Sequence, residues 1–181
     1  MCMRLSNSRA LVLSAVFAAL IFVSITLFRI PNGLGGFIHF GDSLIYVAAA
    51  MLPLPFGLLV AAIGPGLFNL FSESPFWFPF TVVIKPIMAL CFTSRGGQIL
   101  GSKRNIIAPF VAGVINTVLY FGANMLLFAM GILPGGHVGA WAAGIAALPA
   151  LLIQAGGSVV IFFVIAHALD RLKMKERIER M

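Results

Sequence analysis

The sequence predicts an all-α integral membrane protein with six transmembrane helices and with both termini in the cytoplasm. Of its 181 residues, 61% are hydrophobic and only 9% are charged, which is too little charge to cover the surface of a soluble domain. The apolar residues come in long runs and not in alternating segments, a pattern that favours helices over a β-barrel. At roughly 20 apolar residues for each span, the length suits five or six spans in a single domain over residues 1–181.

The length and the charge exclude several functions. Six spans leave no stretch of the sequence long enough for a nucleotide-binding domain, so any powered transport must draw its energy from another subunit. The net charge of +7 does not indicate a nucleic-acid ligand, because the cations lie at the ends of the apolar runs, where membrane topology places them. The two cysteines, Cys2 and Cys91, lack the spacing of a metal site, and we expect both to be free.

The first span is expected over residues 10–28, which cover about 28 Å as a helix. A basic start followed by an apolar run resembles a signal peptide, but the run is too long and no small-residue cleavage site follows it. We therefore expect a retained span. Small residues at three- and four-residue spacing are expected on one face of this helix, which suits either packing within this protein or docking of another membrane protein; they are Ser14, Ala15, Ala18 and Ala19.

A glycine-rich segment over residues 29–41, here called the mouth segment, precedes the second span. Its proline and glycines predict a loop without regular structure, and its aromatic residues predict that the loop folds down over a site. His39 lies near the end of this segment, and Asp42 follows it directly. Asp42 stands next to an apolar run, where a carboxylate is costly unless it is hydrated, paired or functional. Asp42 caps the next helix, contacts a ligand, or does both.

The second and third spans are expected over residues 42–52 and 56–71, joined by a Pro-Leu-Pro turn. The second covers only about 16 Å, so the two segments either cross the membrane twice or form a re-entrant hairpin. Residues 64–66 read Gly-Pro-Gly and predict a kink or break, which membranes tolerate only where the helix faces protein or a hydrated cavity. Asn69, just beyond, either holds helices together or contacts a ligand.

The fourth span, over residues 80–92, contains Lys85 several residues inside its end. An intramembrane lysine usually faces a cavity or a partner; the alternative is that it snorkels to the interface. Its possible partners are Asp42, Glu73 or a bound ligand. Trp77, in the loop before this span, suits either the interfacial aromatic belt or a ligand contact.

The fifth span, over residues 106–132, carries Asn116, Tyr120 and Asn124 at four-residue intervals, so the three side chains share one helix face. They either bond to neighbouring helices or line a ligand cavity. The sixth span, over residues 141–168, has a single glutamine near its middle, and a charged tail follows it.

The cations indicate the topology. With the N-terminus inside, ten of the 12 lysines and arginines fall on cytoplasmic segments, a strong positive-inside bias. The ten are Arg4, Arg9, Arg95, Lys103, Arg104, Arg171, Lys173, Lys175, Arg177 and Arg180. The polar residues of the spans then converge on an outward-facing pocket.

A mostly apolar pocket with a few polar groups suits a small heterocyclic molecule, on which aromatic rings can stack. The sequence indicates no catalytic residues and no metal site. The predicted ligand-binding residues are Phe37, His39, Asp42, Asn69, Trp77, Phe80, Lys85, Asn116, Tyr120, Asn124 and Gln154.

Together these features resemble the S component of an energy-coupling factor (ECF) vitamin transporter, of the riboflavin/hydroxymethylpyrimidine/pyridoxine-type branch. The similarity covers residues 10–172. It is carried by Gly-Gly-Phe-Ile-His-Phe-Gly-Asp at 35–42, by Leu-Pro-Leu-Pro-Phe-Gly at 52–57 with Ala-Ala-Ile-Gly-Pro-Gly at 61–66, and by Pro-Phe-Thr-Val-Val-Ile-Lys at 79–85.

The resemblance implies a vitamin-binding subunit in the cell membrane of a prokaryote, not an enzyme. Its partners would be a transmembrane T component and two cytosolic ATPases, which use the ATP, so the chain itself needs no cofactor. The family is thought to deliver its ligand by toppling in the membrane, and the small residues of the first helix would dock on the T component. Related proteins often have an acidic residue where this chain has Asn69.

The few charges and moderate size of the pocket favour hydroxymethylpyrimidine or pyridoxine as the ligand, with riboflavin as the main alternative. Two other classes stay open. A stand-alone secondary carrier or channel usually has acids in mid-span or internal repeats, and neither is evident here. An intramembrane enzyme built on His39 and Asp42 would lack a third metal ligand or a nucleophile motif.

Overall fold

The computed structural model describes residues 6–31, 37–133 and 139–180. Cys2, Arg4, Gly35 and Gly36, on which parts of the sequence analysis rest, lie outside these residues. The elements in chain order are α1 (Asn7–Leu27), β1 (Ile30–Pro31), β2 (Phe37–Ile38), α2 (Gly41–Met51), α3 (Leu54–Phe71), a 3-10 turn (Pro75–Trp77), α4 (Phe78–Ala89), α5 (Lys103–Ala129), α6 (Ala140–Arg171) and α7 (Met174–Arg180).

The prediction of an all-α membrane protein is confirmed. Four helices, α1, α3, α5 and α6, are each long and apolar enough to cross a membrane, and two shorter apolar helical segments cover residues 41–51 and 75–89. Because the shorter segments do not decide how often the chain crosses, the count of six spans and the cytoplasmic termini stay predictions. The fourth segment ends at Ala89 and the sixth at Arg171, each about three residues from its predicted end.

The third helix is continuous through Gly64-Pro65-Gly66, so of the kink or break that the sequence predicts, the break is wrong. α3 continues through Pro65 although this residue removes one backbone hydrogen bond. A Cβ on Gly64 would lie 3.0 Å from the side chain of Ile21 in α1, and one on Gly66 would lie 3.0 Å from Val82 in α4. The two glycines thus let α3 pack closely on both neighbours, and this packing holds the helix together across the proline.

The described parts of the mouth segment, residues 29–31 and 37–41, are more regular than the loop that its composition predicts. Ile30 pairs with Ile38, and Pro31 with Phe37, in a short antiparallel ladder. Pairing satisfies backbone groups that would otherwise be left free in a segment packed on protein. The ring of Phe37 lies edge-on to that of Phe68 in α3, with 5.8 Å between ring centroids, so the segment does fold down over the bundle.

The short helix α2 is the central element of the bundle. Ten of its 11 residues are buried, and it contacts α1, α3, α4 and α6. The helices around it contact one another in the order α1, α3, α4, α5 and α6. Below its first turn, Tyr46 stacks on Phe92 with 4.9 Å between ring centroids, and Phe92 meets Phe162 at 5.5 Å. This aromatic core fills the bundle toward the loop that follows α4.

That loop, residues 90–102, is tied to the end of α6. The Asp170 carboxylate accepts hydrogen bonds from the backbone N–H groups of Ile99 and Leu100, at 2.6 and 2.8 Å. The charged tail also packs back on the bundle, because Lys175 is buried and its ammonium donates to the carbonyl of Ala50 at the end of α2, at 3.1 Å. This end of the bundle is therefore closed by polar contacts.

Candidate ligand-binding site

A cavity of about 560 Å³, a figure that includes its open mouth, lies between the mouth segment and helices α3, α4, α5 and α6. The structure brings eight of the predicted ligand-binding residues together in its wall. They are Phe37, His39, Asn69, Trp77, Lys85, Tyr120, Asn124 and Gln154.

Three predicted residues do not line the cavity. Asp42 and Asn116 lie behind Lys85 and bond to its ammonium. Phe80 packs against Trp77, with 6.2 Å between ring centroids. The side chains of all three contact lining residues, so they support the wall from behind and do not form it.

Four lining residues escaped the sequence analysis: Pro65, Phe68, Thr81 and Leu151. Three of them could have been found from their helical spacing to residues that were predicted. Thr81 precedes Lys85 by one turn, Pro65 precedes Asn69 by one turn, and Leu151 precedes Gln154 by three residues, so each shares a helix face with a residue already chosen.

The base of the site is a buried ion pair. Lys85 Nζ lies 2.7 Å from Asp42 Oδ1 and donates a second hydrogen bond to Asn116 Oδ1 at 2.9 Å. Lys85 is 1% exposed and Asp42 is fully buried, so each charge depends on its partners for stability. Among the partners proposed for Lys85, the structure selects Asp42; Glu73 instead lies on the surface, 3.9 Å from Arg29.

Asp42 does not cap α2 by a side-chain hydrogen bond. Phe40 is the capping residue and makes no side-chain cap bond, while Asp42 lies in the first turn. That position still favours a negative charge, because the N-terminal end of a helix dipole is positive. The carboxylate is directed into the ion pair and accepts a further hydrogen bond from Gln154 Nε2 at 2.9 Å.

Gln154 connects the ion pair to the mouth segment. Its Oε1 accepts a hydrogen bond from the backbone N–H of His39 at 3.3 Å. One turn further, a Cβ on Gly157 would clash with the ring of Phe40, so the glycine lets the mouth segment sit directly on α6. Both contacts hold His39 at the cavity.

A second polar network crosses α3, α4 and α5. Asn69 Nδ2 donates to Thr81 Oγ1 at 2.6 Å, and Thr81 Oγ1 shares a hydrogen bond with the hydroxyl of Tyr120 at 2.8 Å. Lys85 Nζ lies 4.9 Å from the centroid of the Tyr120 ring, a favourable cation–π distance. The two networks therefore meet at Tyr120.

Aromatic rings form the rest of the wall. Trp77 packs on Tyr120 with 5.8 Å between ring centroids, and Phe37 and Phe68 meet edge-on. The guanidinium of Arg29 lies over these last two rings, at 4.7 and 5.4 Å from their centroids. The wall thus offers flat apolar surfaces beside a small number of polar groups, the typical arrangement of a small-molecule site.

The site carries no net charge. The ammonium of Lys85 is balanced by Asp42. Burial lowers the pKa of His39 to about 4, so its imidazole is neutral at pH 7. Within residues 6–31, 37–133 and 139–180, no three side chains of the types that bind metals come together. The arrangement is therefore suited to binding a flat molecule without a net charge.

The small residues of α1 do not share one face. Ser14 is buried and donates to the carbonyl of Ala10 at 2.6 Å, and the carbonyl of Ala18 faces Gly64 in α3. Ala15 and Ala19 are exposed. The reason is that residues 14 and 18 form one helical stripe and residues 15 and 19 the next, about 100° around the helix. Only the second stripe is open to a partner.

The sequence matches a protein-family model described as "ECF-type riboflavin transporter, S component" over residues 6–171. The match includes helices α1 to α6 and all of the cavity. A comparison with curated proteins gives no match.

Proposed function

Since the chain belongs to the family of ECF-type riboflavin transporter S components, we propose that it is the vitamin-binding membrane subunit of an ATP-driven importer in a prokaryotic cell membrane. The observation that carries this proposal is the cavity, where aromatic rings flank a neutral, hydrogen-bonded base. The positive-inside bias of the sequence favours an outward-facing mouth.

The ligand we propose is a flat heterocycle without a net charge. Phe37, Phe68 and Trp77 provide stacking surfaces. A phosphorylated vitamin would add a charge of about −2, whereas Lys85, the one lysine or arginine among the described lining residues, is already neutralised by Asp42. Removing such a group from water without a new partner is unfavourable. The site therefore favours vitamins over their phosphate esters.

Hydroxymethylpyrimidine or pyridoxine is the first candidate ligand. The cavity's 560 Å³ includes its open mouth, so the enclosed space is smaller than this figure, and a ligand with a single ring needs little room. Riboflavin is the second candidate, and the description of the family favours it. Its three fused rings would have to extend from the polar base to the mouth.

The test is mass spectrometry of small molecules released from protein purified without added ligand, followed by calorimetric titration with the three vitamins and with their phosphate esters. We expect one vitamin to co-purify and to bind more tightly than its phosphate. Riboflavin binding near Trp77 and Tyr120 would also quench flavin fluorescence. Protein that is folded and binds none of these molecules would overturn the proposal.

The partners we propose are a transmembrane T component and two cytosolic ATPases, against which the subunit topples to deliver its ligand. Ala15 and Ala19, the exposed small residues of α1, are the proposed docking positions, because small side chains allow close helix approach in lipid. Vitamin uptake that persists in cells without any such ATPase would instead favour a stand-alone carrier.

Enlarging the docking positions is expected to separate assembly from binding. Ala15→Leu or Ala19→Leu should prevent co-purification with a T component and stop uptake, while vitamin affinity in detergent stays within about twofold, because neither residue touches the cavity. Ala146→Leu, on the exposed side of α6, is the matched control and should leave both intact. Loss of vitamin binding in the α1 variants would mean that these residues only support the fold.

A further inference from the structure

Most polar side chains of the cavity already have partners within the protein. Asn69, Thr81 and Tyr120 bond to one another. Lys85 bonds to Asp42 and Asn116, and Gln154 bonds to Asp42 and to the mouth segment. A ligand that approaches this wall therefore meets groups whose hydrogen bonds are largely used.

Two described lining residues have a buried side-chain atom without a hydrogen-bond partner. One is His39 Nδ1, which lies next to Gly41, 3.4 Å from where a Cβ would stand on that glycine. The other residue is Asn124. It lines the cavity and is only 3% exposed, and its Oδ1 is buried without a hydrogen-bond partner. Its Nδ2 donates to the carbonyl of Tyr120 at 2.8 Å. The opposite orientation of the amide would place two oxygens against each other, so the unpaired atom is an acceptor.

A buried acceptor without a donor is costly, and Asn124 Oδ1 is fixed in place by the bond on the other end of its amide. A ligand that presents an N–H or O–H group there removes this cost. A ligand that presents a ring nitrogen or a carbonyl leaves the oxygen unpaired and adds repulsion. Sites built to bond a ligand hydrogen discriminate strongly against analogues that lack it.

We propose that Asn124 is a specificity-determining residue that selects heterocycles with a hydrogen-bond donor on the ring, such as an amino or imino group. This inference rests on the proposed function and adds the ligand chemistry that the site recognises. The donor is an exocyclic amino group in an aminopyrimidine and the ring N–H in a flavin.

The test compares matched ligand pairs by titration calorimetry. The pairs are hydroxymethylpyrimidine with its analogue lacking the amino group, pyridoxine with its analogue lacking the ring hydroxyl, and riboflavin with 3-methylriboflavin, which lacks the ring N–H. For whichever pair binds, we expect the wild-type protein to prefer the donor-bearing member by about 10-fold to 100-fold. Asn124→Leu should reduce that preference to about twofold or less.

Two further variants keep the test decisive. Asn124→Ala also lacks the acceptor oxygen and is the smaller change, so it should lose the preference too, which covers the case in which Asn124→Leu does not elute as a folded monomer. Met125→Leu, next in α5 but outside the cavity wall, should behave as wild type. A preference that is equal in wild type and in either folded Asn124 variant would overturn the inference and leave the proposed function standing. Failure of every vitamin to bind wild-type protein would overturn both.

Discussion

Replacing Lys85 with methionine is expected to destabilise the protein severely and to abolish vitamin binding. The change leaves the fully buried Asp42 carboxylate without its cation, and removing one partner of a buried pair costs about 3–5 kcal/mol. That is a large part of the roughly 5–15 kcal/mol that stabilises a typical domain. The measurement is the melting temperature of purified protein in detergent, followed by intrinsic fluorescence, with the vitamin affinity measured alongside it.

The double variant Asp42→Asn with Lys85→Met separates the structural role of the pair from its role in binding. It removes both charges, so no buried charge is left unpaired, and most of the lost stability should return. Vitamin binding should not return, because the cavity loses the ammonium of Lys85 from its wall. Lys103→Met, at the exposed start of α5, is the control and should melt as wild type. A Lys85→Met protein with unchanged melting would contradict the buried pair.

The sequence predicts the helices of this fold well because the signal is hydropathy over long runs. Residues 106–132 are expected as a span and α5 covers Lys103–Ala129; residues 10–28 are expected and α1 covers Asn7–Leu27. The polar residues of the site could be chosen for a similar reason, because a lysine or an asparagine inside an apolar run is conspicuous. Together with two aromatic residues, Phe37 and Trp77, six of those polar choices line one cavity.

The sequence could not decide which of these residues pair, because pairing depends on helix rotation and on contacts between distant segments. It offers Lys85 three partners, Asp42, Glu73 or a ligand, and the bond to Asp42 makes Lys85 structural as well as a lining residue. Pro65 suggests a broken helix, but the packing of its flanking glycines on α1 and α4 holds α3 together. The small residues of α1 suggest one face, but Ser14 points inward while Ala15 is exposed.

Replacing Thr81 with valine is expected to weaken vitamin binding by about 10-fold to 100-fold while the protein stays folded. Valine has nearly the shape of threonine but lacks the hydroxyl that joins Asn69 Nδ2 to the Tyr120 hydroxyl. Without it, each of these lining groups loses a partner, at a cost of about 1–3 kcal/mol for a buried group. Their side chains are also no longer held in one orientation, and a ligand must order them when it binds.

Thr117→Val provides the matched control for this change. The Thr117 hydroxyl donates to the carbonyl of Gly113 in its own helix at 2.9 Å and does not line the cavity, so the same substitution removes a hydroxyl without touching the site. Vitamin affinity measured by titration should fall in Thr81→Val alone, with a melting temperature far above that of Lys85→Met. If both threonine variants bind as wild type does, the network across α3, α4 and α5 holds helices together and does not organise the ligand. If only the first loses affinity, the unpredicted Thr81 is as much a part of the site as the lysine one turn beyond it.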